Sequence, residues 1–243
     1  MEIGSGFQVR VEGTPGVRSD DASGPTRLVR LLTAHADPES MIHRYGHVPL
    51  PPYIRRPDRP ADRDRYQTVY AREPGSIAAP TAGLHFTLDL FERLEKREID
   101  RAEIVLHVGP GTFRPVEVDD VREHRVDPER FSLPEDAAQA IRRARREGRR
   151  VVGVGTTTTR TLESAVGPDG DLAAGDDETT LVITPGHSFR VVDVLLTNFH
   201  LPRSSLLLLV SAFAGRKRIL SAYEEAVRRA YRFYSYGDAM LLL

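Results

Sequence analysis

Four short segments of this chain contain residue types suited to binding and transforming a nucleotide-like ligand. They are Gly-Leu-His-Phe at 83–86, His-Val-Gly-Pro-Gly-Thr-Phe-Arg-Pro-Val at 107–116, Val-Gly-Thr-Thr-Thr-Thr-Arg-Thr-Leu-Glu at 154–163 and Thr-Asn-Phe-His-Leu-Pro at 197–202. Glycine lets backbone N–H groups approach a ligand closely, threonine and asparagine supply neutral hydrogen bonds, and histidine exchanges protons near neutral pH. Together these segments predict a cytosolic enzyme that acts on a nucleotide-like substrate.

Three of these segments follow stretches that read as buried strands. The predicted strands are the apolar runs at 104–106, 151–154, 180–183 and 191–196. The predicted helices have apolar residues at helical spacing at 88–94, 137–144 and 219–234. This alternation predicts an α/β domain with a mainly parallel, barrel-like sheet and helices around it. Because ligands of such sheets gather beyond the carboxyl ends of the strands, we expect the segments to share one site.

A different pattern precedes residue 49. Residues 7–11 alternate as a strand does, and a helix is predicted from Asp37, with Pro38 in its first turn and Gly46 after its end. Prolines at 49, 51 and 52 then favour an extended segment, and we place a domain junction there. The chain is therefore divided into a small β unit, residues 1–48, and an α/β domain, residues 49–243.

Composition excludes several classes of protein. Of the 243 residues, 40% are hydrophobic, which is enough for a packed core. The absence of cysteine excludes disulfides, thiolate nucleophiles and cysteine-ligated metals. The longest apolar run, 206–210, is far too short to cross a bilayer, and no metal-binding motif such as H-E-x-x-H is present. We expect a cytoplasmic protein without membrane association or a metal site.

The charge pattern provides no overall attraction for nucleic acid. The formal net charge is −1, so a polyanion would have to be held by a local patch. The arginine-rich run at 142–150 is typical of a solvated helix face, and it is also a candidate for contacts with an RNA backbone.

Other interpretations of single residues stay open. His85, His107, His124 and His200 could each be a structural histidine, and the aromatic neighbours of His85 and His200 favour these two as functional. The glycines at 153 and 155 lack the third glycine of a dinucleotide fingerprint, which favours a structural turn. A dinucleotide-dependent enzyme that uses residues 153–159 therefore stays open as a weaker interpretation of the function.

Longer stretches of the chain carry a specific resemblance. They lie at 46–54 (Gly-His-Val-Pro-Leu-Pro-Pro-Tyr-Ile), 62–70, 79–86, 106–116, 154–157, 196–202, 209–215 and 231–240 (Tyr-Arg-Phe-Tyr-Ser-Tyr-Gly-Asp-Ala-Met). In this order they resemble the S-adenosylmethionine:tRNA ribosyltransferase-isomerase family of queuosine biosynthesis.

The resemblance implies a reaction and a set of site residues. The ribosyl part of S-adenosylmethionine would be transferred to 7-aminomethyl-7-deazaguanine in the tRNA wobble position, releasing adenine and methionine and forming epoxyqueuosine. S-adenosylmethionine would be a substrate, with no resident cofactor, and a monomer is expected. The histidines whose ordinary pKa suits the proton transfers of this reaction are His85, His107 and His200. The residues matched to substrate binding are Thr81, Gly83, Gly109, Gly111, Thr112, Arg114, Gly155, Thr156, Thr157, Arg160, Asn198 and Asp238.

The chain also departs from the family pattern. The resemblance runs from about Phe7 to Met240 and lacks the family's N-terminal part, so residues 1–48 would be the remnant of a small β-barrel domain and 49–243 an incomplete catalytic domain. Val126-Asp127 follows His124 where Met-His is usual, and Thr158-Thr159 replaces Ser-Val. The alternative function is therefore a catalytically inactive remnant that binds RNA or a nucleoside.

Overall fold

The chain forms two compact units, residues 1–48 and 49–243. The computed structural model describes residues 2–4, 7–13, 28–33, 37–51, 53–76, 78–109 and 115–243. The division falls directly before the proline-rich stretch that begins at Pro49, where fixed φ angles and missing N–H donors oppose regular structure.

The described residues of the first unit form an antiparallel sheet and one helix. The sheet has the order β1 (Glu2–Gly4), β2 (Phe7–Gly13), β3 (Leu28–Thr33). Helix α1 (Pro38–Tyr45) follows Asp37, whose carboxylate accepts the N–H groups of the next turn at 3.1 and 2.9 Å. The helix predicted from Asp37 is therefore confirmed, with Gly46 after its last residue.

The second unit mixes helices, short strands and 3-10 turns. Its helices are α2 (Pro60–Arg65), α3 (Leu88–Glu95), α4 (Glu135–Arg146), α5 (Thr156–Ser164), α6 (Ser205–Ala214) and α7 (Arg216–Arg228), with 3-10 helices at Thr81–His85 and Val121–Glu123. Its strands are β4 (Val105–Leu106), β5 (Glu129–Leu133), β6 (Val152–Val154), β7 (Gly175–Thr179), β8 (Val194–Asn198) and β9 (Ala239–Leu242).

These strands form two open three-stranded sheets, β4-β5-β7 and β6-β8-β9. The mixed α/β class is confirmed, but the mainly parallel, barrel-like sheet is wrong for the described strands, among which β6 and β8 are the one parallel pair. The error comes from strands that the apolar pattern does not reveal. Strand β7 reads Gly-Asp-Asp-Glu-Thr and is mostly exposed, whereas the apolar run at 180–183 that follows it forms no strand.

Two apolar clusters hold the elements that carry the site. One packs α4 and α5 against β5 and includes Leu133 and Leu162, and the other packs β8 against α6 and α7 around Leu195 and Val210. The helix predicted at 219–234 is α7, but it ends at Arg228 and a loop follows. No helix in the described part of the chain has both the length and the apolar character needed to cross a bilayer.

Candidate active site

The site lies where β6 and β8 end side by side. Because these strands are parallel, α5, which starts after β6, is brought next to Asn198 at the end of β8. The N–H of Gly155 donates to Leu196 O at 2.8 Å, and its φ of +94° is one that glycine adopts without strain. A Cβ placed on Gly155 would lie 4.0 Å from Cβ of Ala82. The 3-10 helix Thr81–His85 therefore meets the start of α5 at this edge.

Asn198 connects two of the predicted site residues. Thr81 Oγ1 donates to Asn198 Oδ1 at 3.0 Å, and Asn198 Nδ2 lies 3.5 Å from His85 Nε2. Since the amide oxygen is occupied by the hydroxyl, the amide nitrogen faces the imidazole and donates towards it. This arrangement favours the His85 tautomer with its proton on Nδ1. Asn198 is buried, whereas His85 is exposed and open to a ligand.

Asp238 lies in the loop that follows α7. Its Oδ2 accepts the N–H of Arg232 at 2.7 Å, and this hydrogen bond holds the pKa of Asp238 below its usual range, with a smaller contribution from the charge of His85. The N–H of Tyr234 donates to Phe199 O at 3.0 Å, which docks the loop beside the end of β8. The carboxylate of Asp238 is therefore ionised and within electrostatic reach of His85.

His200 differs from His85 in its environment. Its Nε2 lies 3.0 Å from Thr197 Oγ1, and its backbone N–H donates to the Tyr223 hydroxyl at 2.8 Å. Burial lowers the pKa of His200 to about 4, and burial raises the pKa of Tyr223 to about 12. His200 is therefore neutral at pH 7 and is not an acid that could protonate a leaving group there.

His107 directly follows β4, a strand of the other sheet of this unit. Its N–H donates to Arg130 O at 2.8 Å, and a Cβ placed on Gly75 would lie 2.6 Å from His107 Nδ1, so the ring packs against that glycine. Gly109 follows, with its N–H 3.2 Å from Glu129 Oε1. Three further predicted residues of this segment, Gly111, Thr112 and Arg114, lie outside the described residues.

Arg160 and Gly83 have partners within the protein. The Arg160 guanidinium is buried and donates to Glu129 Oε2 at 2.5 Å and to Leu181 O at 2.9 Å. A Cβ placed on Gly83 would lie 2.0 Å from the Tyr70 hydroxyl. These positions favour structural roles for both residues and do not present either side chain to a ligand.

The first turn of α5 is polar and has no side-chain cap. Thr156 is buried and Thr157 is partly exposed, so this turn presents backbone N–H groups at the end of β6. N–H groups of a first helical turn have no partner within the helix and attract oxygen atoms that carry negative charge. The turn can therefore donate to ligand oxygens.

Sequence reasoning missed the burial of acidic residues, among them Glu129 and Asp62. Glu129 is the partner of Arg160, and Asp62 accepts two hydrogen bonds from Arg56 at 2.6 and 2.8 Å and one from the Arg59 N–H at 2.7 Å. Asp62 lies in a stretch of alternating charge that resembles a solvated surface, and Glu129 lies in a strand only five residues long. In neither case does the local sequence contain a signal of burial.

The arginine-rich run at 142–150 is largely paired within the protein. Arg142 and Arg145 donate to the backbone oxygens of Leu172 and Gly170, and Arg149 lies 2.9 Å from Asp100. These contacts favour the interpretation as a structural helix face. In the described residues, histidine and acidic side chains form no group that could hold a metal ion.

The fold and the site define a class of protein: an α/β protein whose strand ends offer neutral donors, a helix N-terminus and an exposed histidine to a polar small molecule. Comparison with known proteins gives the family. The model of the queuosine biosynthesis protein family matches residues 6–242, and the chain belongs to this family.

Named relatives are similar over most of the chain. An S-adenosylmethionine:tRNA ribosyltransferase-isomerase of Moorella thermoacetica is 57% identical over 238 residues, which are 98% of this chain and 67% of the relative. One of Trichlorobacter lovleyi is 56% identical over 207 residues, 85% of this chain and 61% of the relative. The crystal structure of S-adenosylmethionine tRNA ribosyltransferase from Thermotoga maritima is similar with a TM-score of 0.56 and 46% identity, over 67% of this chain and 51% of that one.

The matched region does not span the relatives completely. The first three relatives are covered over 61%, 57% and 59% of their lengths. The chain thus spans about three fifths of the length of these three relatives.

Proposed function

We propose that this chain transfers the ribosyl moiety of S-adenosylmethionine to 7-aminomethyl-7-deazaguanine in the wobble position of tRNA, forming epoxyqueuosine and releasing adenine and methionine. S-adenosylmethionine is consumed as a substrate, and no resident cofactor takes part. The proposal places the protein in the cytoplasm as a monomer that acts on tRNA. It is supported by the names of the relatives, which act as S-adenosylmethionine:tRNA ribosyltransferase-isomerases.

The observation that carries the proposal is the junction of Thr81, Asn198 and His85. The reaction requires a base that removes a proton next to the sulfonium, so the base must be accessible and its lone pair must exchange any resting hydrogen bond for the substrate proton. His85 is exposed, and its Nε2 lies 3.5 Å from the Asn198 amide nitrogen. The hydrogen bond from Thr81 to Asn198 fixes this amide, so the imidazole is held at the end of β8.

Further groups at the same edge suit the rest of the substrate. The N–H groups and hydroxyls at Thr156 and Thr157 can donate to ribose oxygens as negative charge develops on them. The ionised Asp238 attracts the positive charge of the sulfonium or of the methionine ammonium. We assign the neutral His200 to holding Thr197 rather than to the protonation of adenine.

The experiment is mass spectrometry of nucleosides from modified tRNA incubated with the purified chain and S-adenosylmethionine. We expect epoxyqueuosine from the wild-type chain and a loss of at least about hundredfold in the rate with His85→Gln, as is typical when a positioned general base is removed. His43→Gln is the matched control, because His43 is an exposed histidine on α1 and is expected to leave the rate unchanged.

Two outcomes would contradict the proposal. A folded wild-type sample that binds tRNA or S-adenosylmethionine and forms no epoxyqueuosine would favour the inactive RNA- or nucleoside-binding alternative. Full activity of His85→Gln would remove His85 from the mechanism.

A further inference from the structure

Two buried charges lie between the segment that follows β4 and helix α5. Glu129, the first residue of β5, is 2% exposed, and Arg160, in the second turn of α5, is 5% exposed. Arg160 NH1 lies 2.5 Å from Glu129 Oε2. Because removing two charges from water is costly, such a pair adds little net stability, and its remaining contacts show what it does.

The other oxygen of Glu129 holds the glycine-rich segment. Oε1 accepts the N–H of Gly109 at 3.2 Å, and the next residue of β5, Arg130, accepts the N–H of His107 at 2.8 Å. A Cβ placed on Gly109 would meet no heavy atom of the described residues within 4 Å, so their side chains do not pack against this position. The start of β5 therefore positions His107 and Gly109 through two hydrogen bonds, one of them charge-assisted, while the Val108 N–H between them donates to Ser76 Oγ at 2.9 Å.

Arg160 fixes the same carboxylate to α5. Its Nε donates to Leu181 O at 2.9 Å, so the guanidinium is held from a second side while NH1 binds Glu129. Arg160 lies about one turn after Thr156, the first residue of α5. The backbone of α5 and two hydrogen bonds, from Arg160 to Glu129 and from Gly109 to Glu129, thus connect the first turn of α5 with Gly109.

We propose that Glu129 and Arg160 are positioning residues that hold the segment 107–109 in fixed register with the first turn of α5, so that both contact the nucleoside part of one substrate. Both side chains are buried and neither touches the substrate itself. The identity of that substrate rests on the proposed function, whereas the coupling between the segment and the helix does not.

The coupling is tested by amide hydrogen exchange, which needs no activity. The double variant Glu129→Leu/Arg160→Met removes both charges, and apolar residues of similar volume commonly replace a buried ion pair without loss of stability. It also removes the acceptor of the Gly109 N–H. We expect exchange at 107–109 to become at least about tenfold faster while the melting temperature is maintained.

Single variants provide a second test of the coupling and a matched control. Glu129→Gln keeps an acceptor oxygen but loses the charge that Arg160 orients, so exchange at 107–109 should also rise. Glu163 is another buried glutamate, and its carboxylate accepts the N–H groups of Arg190, Val191 and Val192 at 2.8 to 3.0 Å. Glu163→Gln should raise exchange at 190–192 and leave 107–109 unchanged.

Steady-state kinetics then distinguish positioning from general stability. With S-adenosylmethionine and modified tRNA, we expect the double variant to raise KM for S-adenosylmethionine about tenfold with a smaller change in kcat, and Glu163→Gln to change neither. Unchanged exchange at 107–109 in the double variant, or an equal rise with Glu163→Gln, would overturn the proposal. If the wild-type chain forms no epoxyqueuosine while the variants show the expected rise in exchange at 107–109, the proposed function is overturned and the coupling stays in place.

Discussion

Gly83 lies in the centre of the turn that carries Thr81 and His85, and there is no room for a side chain on it. A Cβ at this position would lie 2.0 Å from the Tyr70 hydroxyl oxygen and 2.9 Å from Thr68 Cγ2. Since non-bonded heavy atoms pack at about 3.5 Å, the substitution Gly83→Ala requires the turn and the Tyr70 hydroxyl to separate by roughly 1.5 Å. Overpacking of this kind costs about 1–3 kcal/mol of the free energy of unfolding.

For a chain of this length, that loss corresponds to a melting temperature lowered by about 2–12 °C. Because the displaced turn carries His85, we also expect kcat/KM for S-adenosylmethionine to fall. The control is Gly109→Ala, where a Cβ meets no atom of the described residues within 4 Å, and its melting temperature should stay within 1–2 °C of wild type, about the limit for a neutral substitution. Adding Tyr70→Phe to Gly83→Ala removes the nearest atom and should restore part of the stability. Equal melting temperatures for the two glycine variants, or no recovery with Tyr70→Phe, would refute this reasoning.

Three further predictions concern polar groups. Thr81→Val removes the hydrogen bond to Asn198 and should lower kcat/KM about fivefold, whereas Thr81→Ser should retain it, and equal rates would contradict the role of this bond. The pKa of His200 is about 4 in the folded chain and 6.5 when unfolded, so the unfolded chain binds the extra proton between these values and stability falls as pH drops from about 6.5 towards 4. Urea unfolding at pH 7 and pH 5 should show this loss, and His200→Phe should reduce it. Asp62→Asn weakens the contact with Arg56 and should lower the melting temperature more than Asp64→Asn, an exposed position on the same helix; a larger effect of Asp64→Asn would be inconsistent with the burial of Asp62.

Local chemistry made parts of the fold predictable. Helix α1 could be predicted because Asp37, Pro38 and Gly46 each have a positional preference at a helix end. The parallel arrangement was overestimated because β7 is an acidic, exposed strand, and its pairing with β5 depends on backbone hydrogen bonds that carry no side-chain pattern.

The candidate site was predictable as a set of segments but not as a geometry. The end of β8 and the start of α5 follow from the order of strands and helices, so Asn198 and Gly155 could be expected at one edge. The contact between Asn198 and His85 joins residues 113 positions apart, and no periodicity encodes it. The burial of His200, and with it the low pKa, likewise depends on tertiary packing.

The sheet order β6-β8-β9 also has a consequence for synthesis of the protein. Strand β9 covers one edge of β8, and its register pairs Ala239 with Asn198. The strand that pairs with β8 at the site is therefore synthesised about 40 residues later than β8 itself. The described strands of the first unit, β1 to β3, end at Thr33 and can pair while the rest of the chain is still being translated. Translation that halts shortly before Ala239 would therefore yield a nascent chain in which β8 has an unpaired edge, a form that proteases and chaperones recognise.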